Sequence, residues 1–486
     1  MSTPSADILV IRAALAGLDP ASSARATSPL PVEELFTPPA HANALDPARP
    51  LVVGNRGVGK SVWSGVLADK KTRLAIAPSY PRLGLDQMTV RLGFHEDAGL
   101  VEGPAPSRQV LAQLLSNGVT AEAIWRAVLL RAVALEAGLQ VPGEYLAETV
   151  TWSELNIEQS EALLRLADAY FLSRKLRFIL LLDALDRMAS TWAEIRPLTD
   201  GILRLTLAMQ GYRAMRAKVF MRTDQEKDDT LFRFPDASKM RAAKVELAWD
   251  RTELYGLLFK RIRRDPMAGD AFARMVEVAL GKSRDADDIQ EPEQQTLVFS
   301  QLAGEYMGRD RRRGRTYTWV IDHLADAFGE TTPRSFLVTL QRAANARTKP
   351  ANTVIDHYGI REGVQAASQV RVEQLKEDYP WIPTVLEDLE GLEVPCTPSM
   401  FTRRWRDRAT AKSIEKITAE SQRAGPIELE NRNTDREAAL LDSLKNIGVI
   451  EERSEHRINM PDIFRVAAKI KRRGGVRPPG AGLRRA

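Results

Sequence analysis

The run Gly54-Asn-Arg-Gly-Val-Gly-Lys60-Ser61 constrains this chain more than any other feature. It follows Leu51-Val52-Val53, an apolar run that reads as a short buried strand, and it opens a stretch of helical spacing at about Lys60. Glycine at 54, 57 and 59 lets the backbone curl until several amides converge on one point. The N-terminus of the following helix adds its dipole, so strand, loop and helix together make an anion cradle. The pattern is GxxxxGK[ST] in full, and each part has a use at a phosphate chain. Lys60 reaches the β- and γ-phosphates, and the Ser61 hydroxyl supplies an oxygen to Mg²⁺. Gly54, Asn55, Arg56, Gly57, Val58, Gly59, Lys60 and Ser61 are therefore the candidate nucleotide-binding set, with ATP and Mg²⁺ as the expected cofactors.

A second run, Phe178-Ile-Leu-Leu-Leu-Asp183-Ala-Leu-Asp186-Arg187, supplies the acids. Its uninterrupted apolar stretch suits a strand buried on both faces of a parallel sheet. An acid at the end of such a strand can hold Mg²⁺ through water, so Asp183 joins Ser61 as a candidate metal residue. Asp186, one short turn on, is placed to take the proton of an attacking water. The competing reading of Asp186 is a helix cap or an ion pair with Arg187. The long separation between the two runs suits a sheet with an additional strand between them.

The chain has 486 residues, which at roughly 150 per domain suggests about three domains. Hydrophobic residues make up 44% and charged residues 27%, which excludes a disordered chain. Aromatics at 6% favour helices over an all-β sandwich. One cysteine, Cys396, excludes an intrachain disulfide and a multi-cysteine zinc site, and it fits a reducing cytoplasm. The five histidines are scattered without HExxH spacing, which argues against a metalloenzyme. No basic region followed by an apolar core opens the chain, so no cleaved signal peptide is expected. The most apolar run, Phe178 to Leu182, is too short to span a bilayer, and no membrane is expected as a partner.

The net charge of +5 hides an asymmetry. After Asp462 come eight basic residues and no acid: Arg465, Lys469, Lys471, Arg472, Arg473, Arg477, Arg484 and Arg485. Residues 1–462 therefore carry −3, a mildly acidic body with a basic tail. Such a tail binds nucleic acid or an acidic partner, or is simply a solvated end.

Along the chain, residues 1–49 read as an irregular Ala-, Pro- and Ser-rich arm with one short helix, Ala6 to Leu18. Residues 50–250 read as an α/β domain. Its strands are expected at 51–53, Arg73 to Ala77, Arg177 to Asp183, Ala217 to Arg222 and Ala243 to Trp249, with a helix around 192–210. Asp250 caps a helix that begins Arg-Thr-Glu-Leu. Residues 251–378 read as helices, and 379–434 as a linker rich in Pro and acid followed by a helical segment. Residues 435–464 give a helix Arg436 to Lys445, a strand Val449 to Glu452, a turn Arg453 to His456 and a strand Arg457 to Met460. That order is the second half of a winged helix. Residues 465–486 are the basic tail, and no internal repeat is visible.

On the Gly54–Ser61 loop and the Asp183/Asp186 run, the chain resembles the ASCE P-loop NTPases, near the AAA+ and STAND groups. Asp183-Ala184-Leu185-Asp186 is similar to the second motif of NACHT- and KAP-type STAND proteins. Typical AAA+ proteins place a Glu directly after the Asp; here that position is Ala184, which the resemblance reads as slow hydrolysis and a nucleotide switch. The resemblance implies a polar sensor at Arg222-Thr223, facing the γ-phosphate. It further implies a lid motif at Gly329-Glu-Thr-Thr-Pro333-Arg334, with Arg334 reporting nucleotide to the lid. Each arginine has a plainer reading, as a residue leaving the sheet or exposed at a helix start. Phe36-Thr-Pro-Pro-Ala-His41 falls where such proteins lay a segment against the adenine. No NKxD-like run follows the second motif, so adenine is the default base. The C-terminal piece resembles the winged helix that follows the lid in many STAND and origin-recognition-type ATPases. The expected fold is thus α/β: a P-loop NTPase parallel sheet flanked by helices, followed by an α-helical lid and a C-terminal winged-helix-like domain.

Two basic clusters stand outside these motifs. Arg309-Asp-Arg311-Arg312-Arg313-Gly-Arg315 reads as an arginine finger for a neighbouring subunit, a contact to backbone phosphates, or a solvated loop. Arg403-Arg404-Trp405-Arg406 adds an aromatic, which is either core or a stacking platform. Three functions compete. The leading one is a cytoplasmic ATP-dependent switch ATPase acting with a partner protein encoded elsewhere; the resemblance adds bacterial defence against phage or mobile DNA as its setting. The second is a DNA-binding AAA+-like ATPase of the origin-recognition or transposition-helper kind. It would grip duplex DNA with its winged helix and basic tail and assemble as a homo-oligomer. The third is an adaptor that holds ATP without turnover.

Overall fold

Phe178 to Leu182 are all buried, and they form an interior strand of a five-stranded sheet. The computed structural model of the chain describes residues 5–20, 25–282, 285, 289–347, 349–421, 425–430 and 435–473. The strands are β1 (Leu51–Gly54), β2 (Met88–Phe94), β3 (Arg177–Leu182), β4 (Met215–Arg222) and β5 (Val245–Glu246). They are parallel throughout, in the order β2-β3-β4-β1-β5. β4 is the additional strand, lying between the strand that feeds the glycine loop and the strand that ends before Asp183.

The alternation along these strands builds two buried faces. Leu51, Val53, Phe178, Leu180, Leu182, Ala217 and Val219 join one cluster with Trp125, Phe171 and Leu198. Val52, Ile179, Leu181 and Phe220 are buried on the opposite face. Each large aliphatic or aromatic side chain taken fully out of water is worth about 1.5–3 kcal/mol, so β3 alone anchors the sheet strongly. The helix Trp192–Ala208 comes close to the helix Ala121–Ala137 at Gly201. A Cβ there would meet Ala121 Cβ at 2.9 Å and Trp125 Cδ1 at 3.0 Å, so only glycine fits. Trp125 Nε1 donates to Leu198 O at 2.8 Å across the same contact.

The expectation of a strand at Arg73 to Ala77 is overturned: that stretch lies in the helix Lys70–Ile76. Asp69 caps it by accepting Thr72 N at 2.7 Å. The buried Arg73 side chain donates to Leu67 O and to Met88 O, which ties the helix to the start of β2. β2 itself hides in the sequence because it is an edge strand whose Thr89 and Arg91 are half-buried. Its Gly93 admits Leu180 of β3, whose Cδ1 would lie 3.0 Å from a Cβ. The fifth strand is shorter than expected, with only Val245 and Glu246 paired to β1.

The chain divides into two compact units, Ser23–Leu247, which holds the sheet, and Met1–Ser22 with Ala248–Ala486. In the second unit, Asp250 accepts Glu253 N at 2.7 Å and Glu253 accepts Asp250 N at 2.9 Å, the reciprocal cap of the helix Arg251–Arg264. Helices Gly269–Leu280, Pro292–Ala303, Thr316–Leu324, Pro333–Ala344 and His357–Asp378 follow. The N-terminal helix Ser5–Ala16 packs among them. Its Asp7 takes two hydrogen bonds from Arg274, at 2.6 and 3.0 Å. Its Arg12 donates to Val354 O at 2.7 Å and Thr353 O at 2.7 Å.

The winged-helix-like domain comprises the helix Arg436–Asn446 and the antiparallel pair β7 (Glu451–Arg453) and β8 (Arg457–Asn459), after the short β6 (Glu393–Val394). β6 pairs with β9 (Lys471–Arg472). Cys396 extends the hairpin by exchanging backbone hydrogen bonds with Ile458 at 3.0 and 2.7 Å. It is buried, and burial pushes its thiol up to about 11. The basic tail beyond Arg473, with Arg477, Arg484 and Arg485, lies outside the described residues. Among the described residues no helix is long and apolar enough to cross a membrane.

Candidate functional site

The glycine loop joins β1 to the helix Lys60–Ala68. Gly57 and Gly59 have φ of +84° and +101°, a backbone that L side chains avoid. Gly54 is fixed by proximity instead: a Cβ would meet Val58 Cγ2 at 2.8 Å and Leu247 O at 3.0 Å. Lys60 Nζ donates to Gly54 O at 2.7 Å and Asn55 O at 3.0 Å, so its charge is held over the loop by the loop's own carbonyls. The residues fit a phosphate chain by shape and charge. A phosphate oxygen is a stronger acceptor for this ammonium than a neutral carbonyl.

Asp183 follows β3 and is buried. Ser64, one turn along the helix from Ser61, donates Oγ to Asp183 Oδ2 at 2.6 Å; Ala184 N donates to Oδ1 at 2.8 Å. Burial holds the Asp183 carboxyl above its usual range, and the nearby Asp186 adds to this. The bonds from Ser64 and Ala184 and the charge of Lys60 oppose it. A divalent cation would reverse that balance, and the Ser61 hydroxyl with the Asp183 carboxylate would offer oxygen donors of the kind Mg²⁺ takes. Among the described residues no group of three His, Cys, Asp or Glu forms a metal cluster of its own. Asp183→Asn is expected to weaken the Mg²⁺ response of nucleotide binding by about 10–100-fold, the usual loss when a metal's supporting residue is removed. ATP affinity titrated against Mg²⁺ checks it.

Ala184 sits at φ +57°, a left-handed conformation that turns the chain out of the sheet. The short turn Leu185–Arg187 then carries Asp186. Arg222 ends β4 directly beside Gly54, its register partner in β1. Its guanidinium takes Asp224 in a two-pronged pair, Nε to Oδ1 at 3.0 Å and Nη2 to Oδ2 at 2.8 Å. Its Nη1 lies 3.3 Å from Asp186 Oδ2. Arg187, by contrast, pairs with Glu96 at 3.0 Å, so Asp186 is joined to Arg222 and not to its own neighbour.

The sheet end therefore brings together the Gly54–Ser61 loop, Asp183, Asp186 and Arg222. Ser64 and Asp224 join them without having been singled out in the sequence. Ser64 had a signal, since a residue three after Ser61 shares its helix face. Asp224 had one in its distance of two residues from Arg222.

Arg334 lies in the other unit, in the first turn of the helix Pro333–Ala344. The buried Gln374 accepts from it at 2.6 Å from Nη1 and 3.2 Å from Nε, in the amide orientation that satisfies both partners. His41, at the end of the Phe36–His41 segment, is buried and accepts Trp63 Nε1 at 3.1 Å. This fixes that segment to the helix after the glycine loop. Trp405 is fully buried and donates to Val385 O at 3.1 Å, so it is core and offers no stacking platform.

Strand order, glycine loop and strand-end acid together make a parallel sheet of the P-loop NTPase type. No family model matches the chain, and no curated protein does. Three solved structures of archaeal proteins are similar to it. Cdc6p from Pyrobaculum aerophilum is 12% identical, with 86% of this chain and 84% of that one covered and a TM-score of 0.27. ORC2 from Aeropyrum pernix, in ADPNP and ADP complexes, is 12% identical over 86% and 85%, with a TM-score of 0.36. ORC1 from Aeropyrum pernix, in complex with DNA, is 14% identical over 89% and 92%, with a TM-score of 0.34.

Proposed function

We propose that this chain binds ATP with Mg²⁺ at the Gly54–Ser61 loop and hydrolyses it slowly, as a molecular switch that acts with a partner protein. The proposed setting is defence against phage or mobile DNA. One observation carries the enzymatic reading: Lys60, Asp183, Asp186 and Arg222 converge at one end of the sheet.

The loop amides bind the phosphate chain, and Lys60 moves from Gly54 O and Asn55 O to a phosphate oxygen. Ser61 and Asp183 would hold the Mg²⁺, which would neutralise charge on the phosphates. Ser64 keeps the Asp183 carboxylate turned toward the helix. Asp186 orients the attacking water and takes its proton. Arg222 shares its guanidinium between Asp186 and Asp224, so it holds the Asp186 side chain in place until a γ-phosphate competes for the guanidinium. With Ala184 where typical AAA+ proteins carry a glutamate, this restraint favours a long-lived ATP state.

Asp224 governs how much of Arg222 reaches Asp186. Asp224→Asn is expected to lower kcat roughly fivefold, about the weight of one ion pair, with KM for ATP unchanged within twofold. Asp224→Glu is expected to restore part of the loss; a rise in KM with kcat intact would place Asp224 in binding instead. The whole reading is tested by phosphate release from ATP by the purified protein beside Lys60→Ala. No ATP binding and no release would overturn it.

A second reading, a DNA-binding ATPase that uses the winged helix and basic tail, is supported by the exposed arginines of the helical unit.

A further inference from the structure

Between Gly304 and Thr316 the helical unit puts out a loop closed at its base by backbone pairing. Thr316 N donates to Glu305 O at 3.0 Å, Met307 N donates to Gly314 O at 2.9 Å, and Tyr306 bridges Arg315. Met307 and Thr316 are buried and anchor the two stems. At the tip, Asp310 accepts Arg312 N at 2.9 Å and starts the tight turn Arg311–Arg313. Gly308 has no Cβ to obstruct Arg313, whose Cγ would lie 3.0 Å from one. The loop is a fixed platform.

Arg309, Arg311, Arg312, Arg313 and Arg315 are all exposed on it. Among the described residues none of the five is in an ion pair. Six arginines elsewhere, Arg25, Arg91, Arg187, Arg196, Arg241 and Arg406, each meet a carboxylate. Arg311, Arg312 and Arg313 are consecutive, ~3.8 Å apart at Cα, well inside the ~8 Å screening length of physiological salt. Asp310 in the same turn offsets one of the five charges, and an anion from outside relieves the rest of the repulsion.

The loop's composition selects the anion. Arginine binds phosphate with a two-pronged fork. No large apolar side chain is exposed at the tip, so the buried anchors that give a protein interface its energy are missing. Several guanidiniums on one platform match a polymer of closely spaced phosphates, as in duplex DNA with one charge per ~1.7 Å.

We infer that the Arg309–Arg315 loop is a docking surface for the phosphate backbone of nucleic acid, independent of base sequence. This rests on the second reading above and adds to it a contact in the helical unit, apart from the winged helix and the tail.

The test is fluorescence anisotropy of the full chain on a labelled mixed-sequence DNA duplex across a salt series, beside a variant with all five arginines changed to Gln. Each phosphate contact contributes a salt slope of roughly 1, so the variant is expected to lose about 4 from the slope of log affinity against log salt. At low salt its affinity is expected to fall on the order of a hundredfold. Changing the five to Lys is expected to restore the slope. ATP affinity of the Gln variant is expected within twofold of wild type, which shows that it is folded. A wild-type chain that binds no duplex overturns the DNA-binding reading together with the loop assignment. A wild-type chain that binds, with an unchanged slope in the Gln variant, overturns the loop assignment alone and leaves DNA to other basic residues. Unchanged DNA binding with loss of concentration-dependent ATP turnover also overturns it, and makes the loop a contact to nucleotide on a second copy of this chain.

Discussion

Lys60→Ala is expected to weaken ATP binding by about two orders of magnitude, read as the dissociation constant of a fluorescent ATP analogue. The change removes charge-assisted hydrogen bonds worth about 1.5–3 kcal/mol each. The loop amides and the helix dipole remain, so binding is not abolished. Lys60 also clips the loop by bonding Gly54 O and Asn55 O, and the variant loses that clip. A thermal melt without nucleotide separates the two effects, since loss of the clip lowers the midpoint before any ATP is added. An affinity within threefold of wild type would take the phosphates away from this loop.

The second large effect is on turnover. Asp186→Asn is expected to slow phosphate release by about 10²–10⁴-fold, the usual contribution of a positioned base, while ATP affinity stays within a few-fold. Asparagine keeps the size of the side chain and can still accept from Arg222, but it cannot take up a proton. Because Arg222 retains Asp224, the variant keeps its local structure. Equal turnover in the variant would move the base to another carboxylate, and Glu96 at the end of β2 would be the next to change.

What the sequence disclosed follows from where the constraint is local. The glycine loop is legible because its curled backbone needs glycine at 57 and 59, and that need is spelled out residue by residue. β3 is legible because both its faces are buried, leaving an apolar run that no exposed element would carry. The cap at Asp250 is legible because Asp250 and Glu253 lie within four consecutive residues. Constraints set by distant partners were not legible. The Ser64 bond to Asp183 and the Asp186 contact to Arg222 depend on how the sheet brings separated segments together. The Gln374 bond to Arg334 depends likewise on how two helices pack. Residues 70–76 misled for a different reason. Leu74, Ala75 and Ile76 resemble a strand in composition, whereas the Asp69 cap and the buried Arg73 decide for a helix.

The buried Cys396 has a practical consequence. It is the only cysteine in the chain, and with its thiol pushed up to about 11 it carries almost no thiolate at neutral pH. Maleimide dyes and spin labels react with thiolate, so the native chain is close to silent toward them. A cysteine introduced at an exposed position, such as the tip of the arginine loop, would be labelled nearly alone. With one such cysteine in the sheet unit and one in the helical unit, distances between them become measurable in solution without first deleting a native residue.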